Sequence, residues 1–431
     1  MNRGRPGHIG RLAALYAEVW RKEGFSLYWW SGLFSSTADI LVDIGLLFAV
    51  YRLTRSTAPT ALLVSAEMLP YFLLGVISGA MVAGLPKFRI VGLVNGAKGV
   101  LVGILAYLWE SHHLPFPVMT IGAFALHTMN CFFKPAYRSV AREISTDQDF
   151  NAVNGAIGVL QSTAALIAPL LAAGLSTHGG LSWFFLLGTV AYGVSGGCVW
   201  RLYVSGHHDA HFRGGSVRAS VKAAPQRLRE WGQYALRSPD MLFVIAVPMA
   251  VFLGVMGDWH VGLPFYVGLE NAHEKAFYAW LLEESAAVML LSDLMIPYLA
   301  GAPETRWDLT GVVALTSGIV VLALSQDSLV TVIAVALISV GFSILNQVRA
   351  YFLMAGPPAT LVGVGFSLSA SLLFGTSALS MGVFAALAAH LGVRPVFWLS
   401  AVLLSAVFVA GAIGYVRTVR GHEKPPQLPS I

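Results

Sequence analysis

Charge is scarce in this sequence. Only 11% of its 431 residues are Asp, Glu, Lys or Arg, less than half the ~25% of a soluble domain. The scarcity runs along the whole chain and the mean hydropathy is +0.69, which excludes an ordinary soluble domain. Cysteine is almost absent. Cys131 and Cys198 are not at CxxC spacing, so neither a disulfide framework nor a thiolate metal site is indicated. There is no GxxxxGK[ST] loop, which excludes nucleotide-driven work of that kind, and no zinc-finger spacing. A net charge of +5 without a basic tract interleaved with aromatics does not indicate nucleic acid. No enzymatic activity, cofactor or metal site is expected. No cleavable leader is evident, because GRLAALYAEVWRKEG is too interrupted for a signal core.

What the chain does have is apolar runs of about 20 residues, long enough to cross a hydrocarbon core of about 30 Å. Counting them between polar punctuation predicts twelve spans, at 27–51, 60–82, 90–109, 115–134, 153–175, 182–203, 241–265, 277–299, 309–325, 329–352, 362–389 and 395–416. The predicted organisation has five parts. Residues 1–26 form an N-terminal segment, with Leu12, Leu15, Tyr16, Val19 and Trp20 opposite Arg11, Arg21 and Lys22 as a surface-lying amphipathic helix. Residues 27–203 form a six-helix bundle, 204–240 a polar linker, 241–416 a second six-helix bundle and 417–431 a tail. The linker begins with His207, His208 and His211, read as a solvated loop because no acidic or Cys partner accompanies them. It continues with Arg218, Lys222, Arg227, Arg229 and Arg237 on an amphipathic helix.

Placing the N-terminus in the cytoplasm puts 23 of the 27 Lys and Arg residues on the inner side, Lys98 and Lys134 counted among them. Only Arg52, Arg55, Lys275 and Arg394 then lie outside. Basic residues concentrate on the cytoplasmic side of membrane proteins, so a multi-pass protein of the cytoplasmic (inner) membrane with both termini inside is expected. The halves look like diverged copies: NAVNGAIGVLQSTAALIAPLLAAGL in span five resembles ATLVGVGFSLSASLLFGTSALSMGV in span eleven. Parallel six-span repeats are a transporter plan, with the substrate site near the midplane.

Within TADILVDIG, Asp39 and Asp43 stand one helical turn apart in a nearly uncharged run. A carboxylate at mid-membrane costs a few kcal/mol even on lenient scales, so it tends to face a cavity or a partner. Positions i and i+4 share a helix face. Two close carboxylates disfavour double ionisation, so the pair can exchange protons in a coupled carrier. Glu67 in span two, Asp258 and His260 in span seven, and Glu283 and Glu284 in span eight join them as candidate cavity residues. Asp258 and His260 are about 200° apart on an ideal helix, so one of them faces inward. The competing reading pairs Asp39 or Asp43 with Arg52, or with hydroxyls of a neighbouring helix, as a structural lock. His127 is read as hydrogen-bonded to a neighbouring helix, and Asp293 as a salt-bridge partner near a loop. The small-xxx-small pairs Gly75/Gly79 and Gly193/Gly197, with Gly375 and Gly382, are read as helix contacts. Tyr28, Trp29, Trp30, Trp109 and Trp183 are read as interface anchors.

Several segments carry a family resemblance: AVYRLTRSTAPTAL, LVSAEMLPYFLLGVISGAM, and FFKPAYRSVAREI followed by FNAVNG. The chain resembles major facilitator superfamily permeases. It is most similar to the branch that holds the enterobactin exporter, macrolide efflux pumps and the lysophospholipid transporter. The resemblance implies an all-α membrane protein of twelve transmembrane helices in two bundles, working by alternating access. It also implies cytoplasmic gating loops, which map here onto Gly79, Lys87, Arg89, Arg138, Arg306 and Arg349. One departure stands out. The family's second loop runs G-x-L-A-D-R-x-x-R-R, whereas here GAMVAGLPKFR has Ala83 at the Asp position. The latch that this Asp supplies is therefore absent or moved, for example to Glu304, Arg306 and Asp308. The antiporter motif of span five is partly kept, as Ala168, Pro169 and Gly174.

The expected function is secondary active export of a small organic molecule, a siderophore-like metallophore or a drug, in exchange for protons, by a monomer in the lipid bilayer. Rivals are a divalent-metal exporter using Asp39, Asp43, Asp258, Glu284 and His260, a lysophospholipid flippase, and a non-transporting sensor or scaffold.

Overall fold

The computed structural model describes residues 16–54, 57–146, 149–178, 180–204, 216–268, 272–300, 306–324 and 327–422. Most of the N-terminal segment, His207, His208, His211 and Glu304 lie outside them. Among the described residues there is no strand. Six long helices come first: α1 (Phe25–Thr54), α2 (Thr57–Val82), α3 (Lys87–Glu110), α4 (Phe116–Ile144), α5 (Phe150–His178) and α6 (Ser182–Val204). The linker contains α7 (Val217–Arg237). Helix α8 (Pro239–Gly257) runs through a π-helical turn, Asp258–Gly262, into a short helix, Leu263–Val267. Four more long helices follow: α9 (Ala272–Ala300), α10 (Arg306–Leu324), α11 (Ser328–Ala355) and α12 (Val362–Leu391); α13 (Val393–His422) closes the series.

Eleven of these elements are long and apolar enough to cross a membrane. The twelfth, α9, matches them in length at 29 residues but carries Glu283, Glu284 and Asp293 along it. The chain is thus an all-helical membrane protein with the expected helix order. Large apolar side chains such as Phe72, Leu93, Tyr107 and Ile121 remain exposed, which in a protein of this composition is the lipid-facing surface.

The largest boundary difference is in α4. The sequence predicts its end at Lys134, whereas the helix continues to Ile144 through Pro135. Proline removes one ladder hydrogen bond. The extension holds because Lys134 and Arg138 both find partners on other helices.

The chain divides into two compact units. The first comprises Met1–Gly232, Asp293–Gly301 and Leu353–Phe374. Its core joins α1, α3, α4 and α6 through Leu41, Leu46, Val102, Leu126, Phe185 and Tyr192. Polar bonds register the helices, a device that works in lipid because an unpaired polar group there has no water to turn to. Ser31 and Ser195 share a hydrogen bond of 2.9 Å, Ser35 donates to Asn95 at 3.0 Å, and Asn95 donates to Ser195 at 2.6 Å. Tyr28 and Tyr137 stack at 4.2 Å and each donates to the other's carbonyl. Trp29, read from sequence as an interface anchor, is buried and donates to the Ala156 carbonyl at 2.7 Å.

Glycine serves closeness at one contact above all. A Cβ on Gly79 would run into the Gly363 carbonyl and Ser367, so only glycine lets α2 and the start of α12 meet. Gly75 behaves likewise against Ser371. The other glycines expected at contacts do not act this way: a Cβ on Gly193, Gly197, Gly375 or Gly382 would meet open space among the described residues. Gly188 in α6 holds the close contact instead, against Val42.

The second unit comprises Gln233–Ser292, Ala302–Phe352 and Gly375–Ile431. Val251, Leu315, Ile338, Phe397 and Leu404 centre its core. The π turn in α8 precedes Pro264, which has no N–H to continue the ladder. It leaves Asp258 buried and His260 exposed.

Candidate functional site

Helix periodicity builds the site. Asp39 and Asp43 are one turn apart on α1, Glu67 and Tyr71 one turn apart on α2, and His127, Asn130 and Lys134 recur at i, i+3 and i+7 on α4, positions that share a face. Lys98 of α3 and Tyr192 of α6 complete the set, all within the first unit.

Asp39 is the most heavily bonded acid. Its Oδ1 accepts from Lys98 Nζ at 3.0 Å, Asn130 Nδ2 at 3.2 Å and Tyr192 Oη at 2.6 Å. Lys98 is fully buried and also donates to Asn130 Oδ1. Its ammonium lies 4.6 Å from the Phe133 ring centroid and 5.1 Å from that of Tyr192, so aromatic faces take up what charge Asp39 leaves. The charges of Asp39 and Lys98 cancel where neither alone would be tolerated.

Asp43 belongs to a second group. Its Oδ1 is 3.3 Å from His127 Nε2, and ligand atoms of Asp43, Glu67 and His127 all lie within 4.8 Å of one another. Glu67 and His127 are buried. His127 Nδ1 is 3.5 Å from Tyr71 Oη, which accepts a 3.0 Å bond from Lys134. A polar string therefore runs from Lys134 through Tyr71 and His127 to Asp43 and Glu67, beside the Asp39–Lys98 pair.

This corrects the expected pairing. Asp39 and Asp43 do not face each other as one carboxylate couple; each is held by a different partner set. Arg52 pairs with neither in any salt bridge among the described residues, and Lys98 holds Asp39 instead. Lys98 and Lys134, counted from sequence among the inner-side charges, both lie within helices, Lys98 fully buried and Lys134 exposed beside its partner Tyr71. The signal for Lys98 was present: a lysine in the middle of GAKGVLVG needs a counter-ion. Tyr71 and Tyr192 carry no comparable sequence signal, since a tyrosine in a span reads equally well as packing.

The second-unit candidates are arranged differently. Asp258 accepts from Ser400 at 3.0 Å. Glu283 and Glu284 are half-buried on α9, each with an oxygen that makes no hydrogen bond among the described residues. His260 is exposed. Asp293, read from sequence near a loop, belongs to the first unit, where it is buried and accepts from Ser162 at 2.6 Å.

The loop residues fall into place one by one. Lys87 forms a salt bridge with Glu143, and Arg89 donates to Tyr203 at 3.0 Å. Arg138 donates to Asn154 at 3.2 Å and lies 5.1 Å from the Phe366 ring centroid. Gly79 donates through its N–H to Ser367 at 3.1 Å. Arg349 donates to Asn346 at 2.6 Å; Arg306 begins α10, exposed, while Asp308 two residues on is buried. At the Ala83 loop, the linker helix supplies the bonds. Arg227 donates to the Ala80 carbonyl at 2.8 Å, and Ser220 to that of Met81 at 2.5 Å. Both carbonyls lie in the last turn of α2, at the negative end of the helix dipole.

Long apolar helices that bury paired charges and a carboxylate–imidazole cluster define a membrane carrier. A family model described as Major Facilitator Superfamily matches residues 25–378, and the chain belongs to that superfamily. No curated protein matches it. Among solved structures, it is similar to a bacterial homologue of the iron transporter ferroportin in an outward-facing state. The TM-score is 0.72 at 16% identity, over 91% of this chain and 99% of that one. A form of that homologue with soaked iron gives 0.71 at 16% identity, over 90% and 98%. The human organic anion transporter MFSD10 (TETRAN) gives 0.68 at 12% identity, over 94% and 100%. Identities this low speak for the fold alone. The chain is a multi-pass membrane transporter rather than an enzyme.

Proposed function

We propose that the protein is a proton-coupled secondary carrier that exports a small organic molecule across the cytoplasmic membrane, both termini lying inside. The observation that carries the reading is the division of labour among the buried charges of the first unit. The Asp39–Lys98 pair is a fixed, mutually neutralised element. Asp43, Glu67 and His127 form a cluster of protonatable groups one turn further along α1, and Asp43 remains partly accessible, its side chain 36% exposed. Protonation of such a cluster changes its charge, and with it the balance between two carrier states that differ in its hydration. The partly kept span-five motif favours antiport, and the resemblance to siderophore and macrolide exporters favours an organic cargo.

The test uses inverted vesicles acidified inside, with erythromycin and a catecholate siderophore as probes. Uptake of a probe with proton release is expected from the native protein, and loss of the pH-gradient dependence from Asp43→Asn and Glu67→Gln. Unchanged gradient-driven transport in both variants would overturn the coupling assignment.

A further inference from the structure

We propose that Asp43, Glu67 and His127 form a binding site for a divalent transition-metal cation of the manganese-to-zinc class. The inference names a ligand for the cluster that the carrier reading treats as its working site, and in that sense rests on that reading.

Three elements bring the donors together: α1 contributes Asp43, α2 Glu67 and α4 His127. With metal–ligand bonds of 2.0–2.2 Å, neighbouring donors around a tetrahedral cation stand about 3.3 Å apart. The Asp43 Oδ1 to His127 Nε2 separation is 3.3 Å, and the Glu67 donor needs only a small rotation to close from within 4.8 Å. A second observation points the same way. His127 is 7% exposed, yet its Nε2 makes no hydrogen bond among the described residues. A buried imidazole nitrogen facing two carboxylates without a directed hydrogen bond is placed as a ligand atom would be. The other ring nitrogen faces the Tyr71 hydroxyl, the outer-shell contact that sets ring orientation and tautomer in metal-binding histidines. Tyr71 is itself fixed by Lys134.

The donor chemistry narrows the cation. Carboxylates suit hard ions such as Mg²⁺, Ca²⁺ and Mn²⁺, imidazole suits Fe, Ni, Cu and Zn, and no thiolate belongs to the cluster, which disfavours Cu(I). Two carboxylates with one imidazole favour the borderline ions in between. The set differs from the one the sequence suggests. Asp39 is committed to Lys98, while Asp258, Glu284 and His260 belong to the second unit.

The probe is Co²⁺, whose visible bands report coordination by protein ligands. The full-length protein in detergent is titrated with His207, His208 and His211 replaced by Ser, which removes a histidine-rich stretch that would compete. One equivalent of cobalt is expected to bind with a ligand-field spectrum. His127→Gln and Asp43→Asn should each weaken binding at least tenfold, and Tyr71→Phe by about tenfold, as loss of an outer-shell partner does; Glu284→Gln should leave it unchanged. Size-exclusion profiles identify any variant that has not folded, and Glu67→Gln, which keeps side-chain shape, then carries the test. A folded parent protein that takes up no cobalt, or affinities unmoved by Asp43→Asn and Glu67→Gln, overturns the site. Gradient-driven transport that persists without cobalt binding removes this inference and leaves the carrier reading; cobalt binding without any response to a pH gradient supports the site and removes the coupling.

Discussion

The first spanning helix of each unit holds its acids in opposite ways. In the first, Asp39 is met by a lysine from a neighbouring helix, and Asp43 by a histidine. In the second, Asp258 accepts from the Ser400 hydroxyl at 3.0 Å. No cation among the described residues forms a salt bridge with Asp258, Glu283 or Glu284. The sequence places an acid in span one and another in span two, then an acid in span seven and others in span eight, within halves that look like diverged copies. The structure separates them by chemistry. An acid with a buried counter-charge is part of an electrostatic scaffold and is costly to unpair. An acid held by a hydroxyl orphans nothing charged when it is neutralised. Repeats that preserve the fold therefore need not preserve what the charges do.

The sharpest way to break this contrast is to remove Lys98. Lys98→Met leaves Asp39 without its cation, and loss of one partner of a buried pair typically costs about 3–5 kcal/mol. The lower thermal midpoint should be read in detergent, and Lys98→Met combined with Asp39→Asn should recover most of the loss. If the double variant is as unstable as the single, the pair is not the unit described here.

The fold was largely legible, because crossing a bilayer demands length and apolarity that composition reveals directly. Twelve predicted spans correspond to twelve long helices, with the main error where Lys134 was read as a terminus. The site was legible in part. Asp39, Asp43 and Glu67 stand out as acids in hydrocarbon, which single residues can signal. Their partners do not stand out, since pairing depends on which helices neighbour one another. His127, Asn130, Lys134 and Arg138 do form a polar stripe at i, i+3, i+7 and i+11 on α4, a pattern present in the sequence. Reading each residue singly, as a packing histidine or a loop lysine, hides it.

A smaller effect is expected where the loop with Ala83 meets the linker helix. Arg227 is half-buried and bonds the Ala80 carbonyl and the Ser220 hydroxyl. Hydrogen bonds from charged donors contribute about 1.5–3 kcal/mol, discounted here for partial exposure, so Arg227→Ala should cost about 1–2 kcal/mol. Arg229→Ala, two positions on and exposed, should stay within about 0.5 kcal/mol, as surface changes do. Equal effects of the two would show that the linker merely lies against the loop instead of bonding it.

The smallest effect tests the second unit on its own terms. Asp258→Asn keeps an oxygen that can accept from Ser400 and removes a charge that no buried cation balances. The change should move stability by about 1 kcal/mol or less, the scale of one ordinary hydrogen bond. Set beside the ~3–5 kcal/mol expected for Lys98→Met, it measures how differently the two units treat a buried acid. A loss of several kcal/mol in Asp258→Asn would mean that the carboxylate is paired after all, and the two units would then share one electrostatic design.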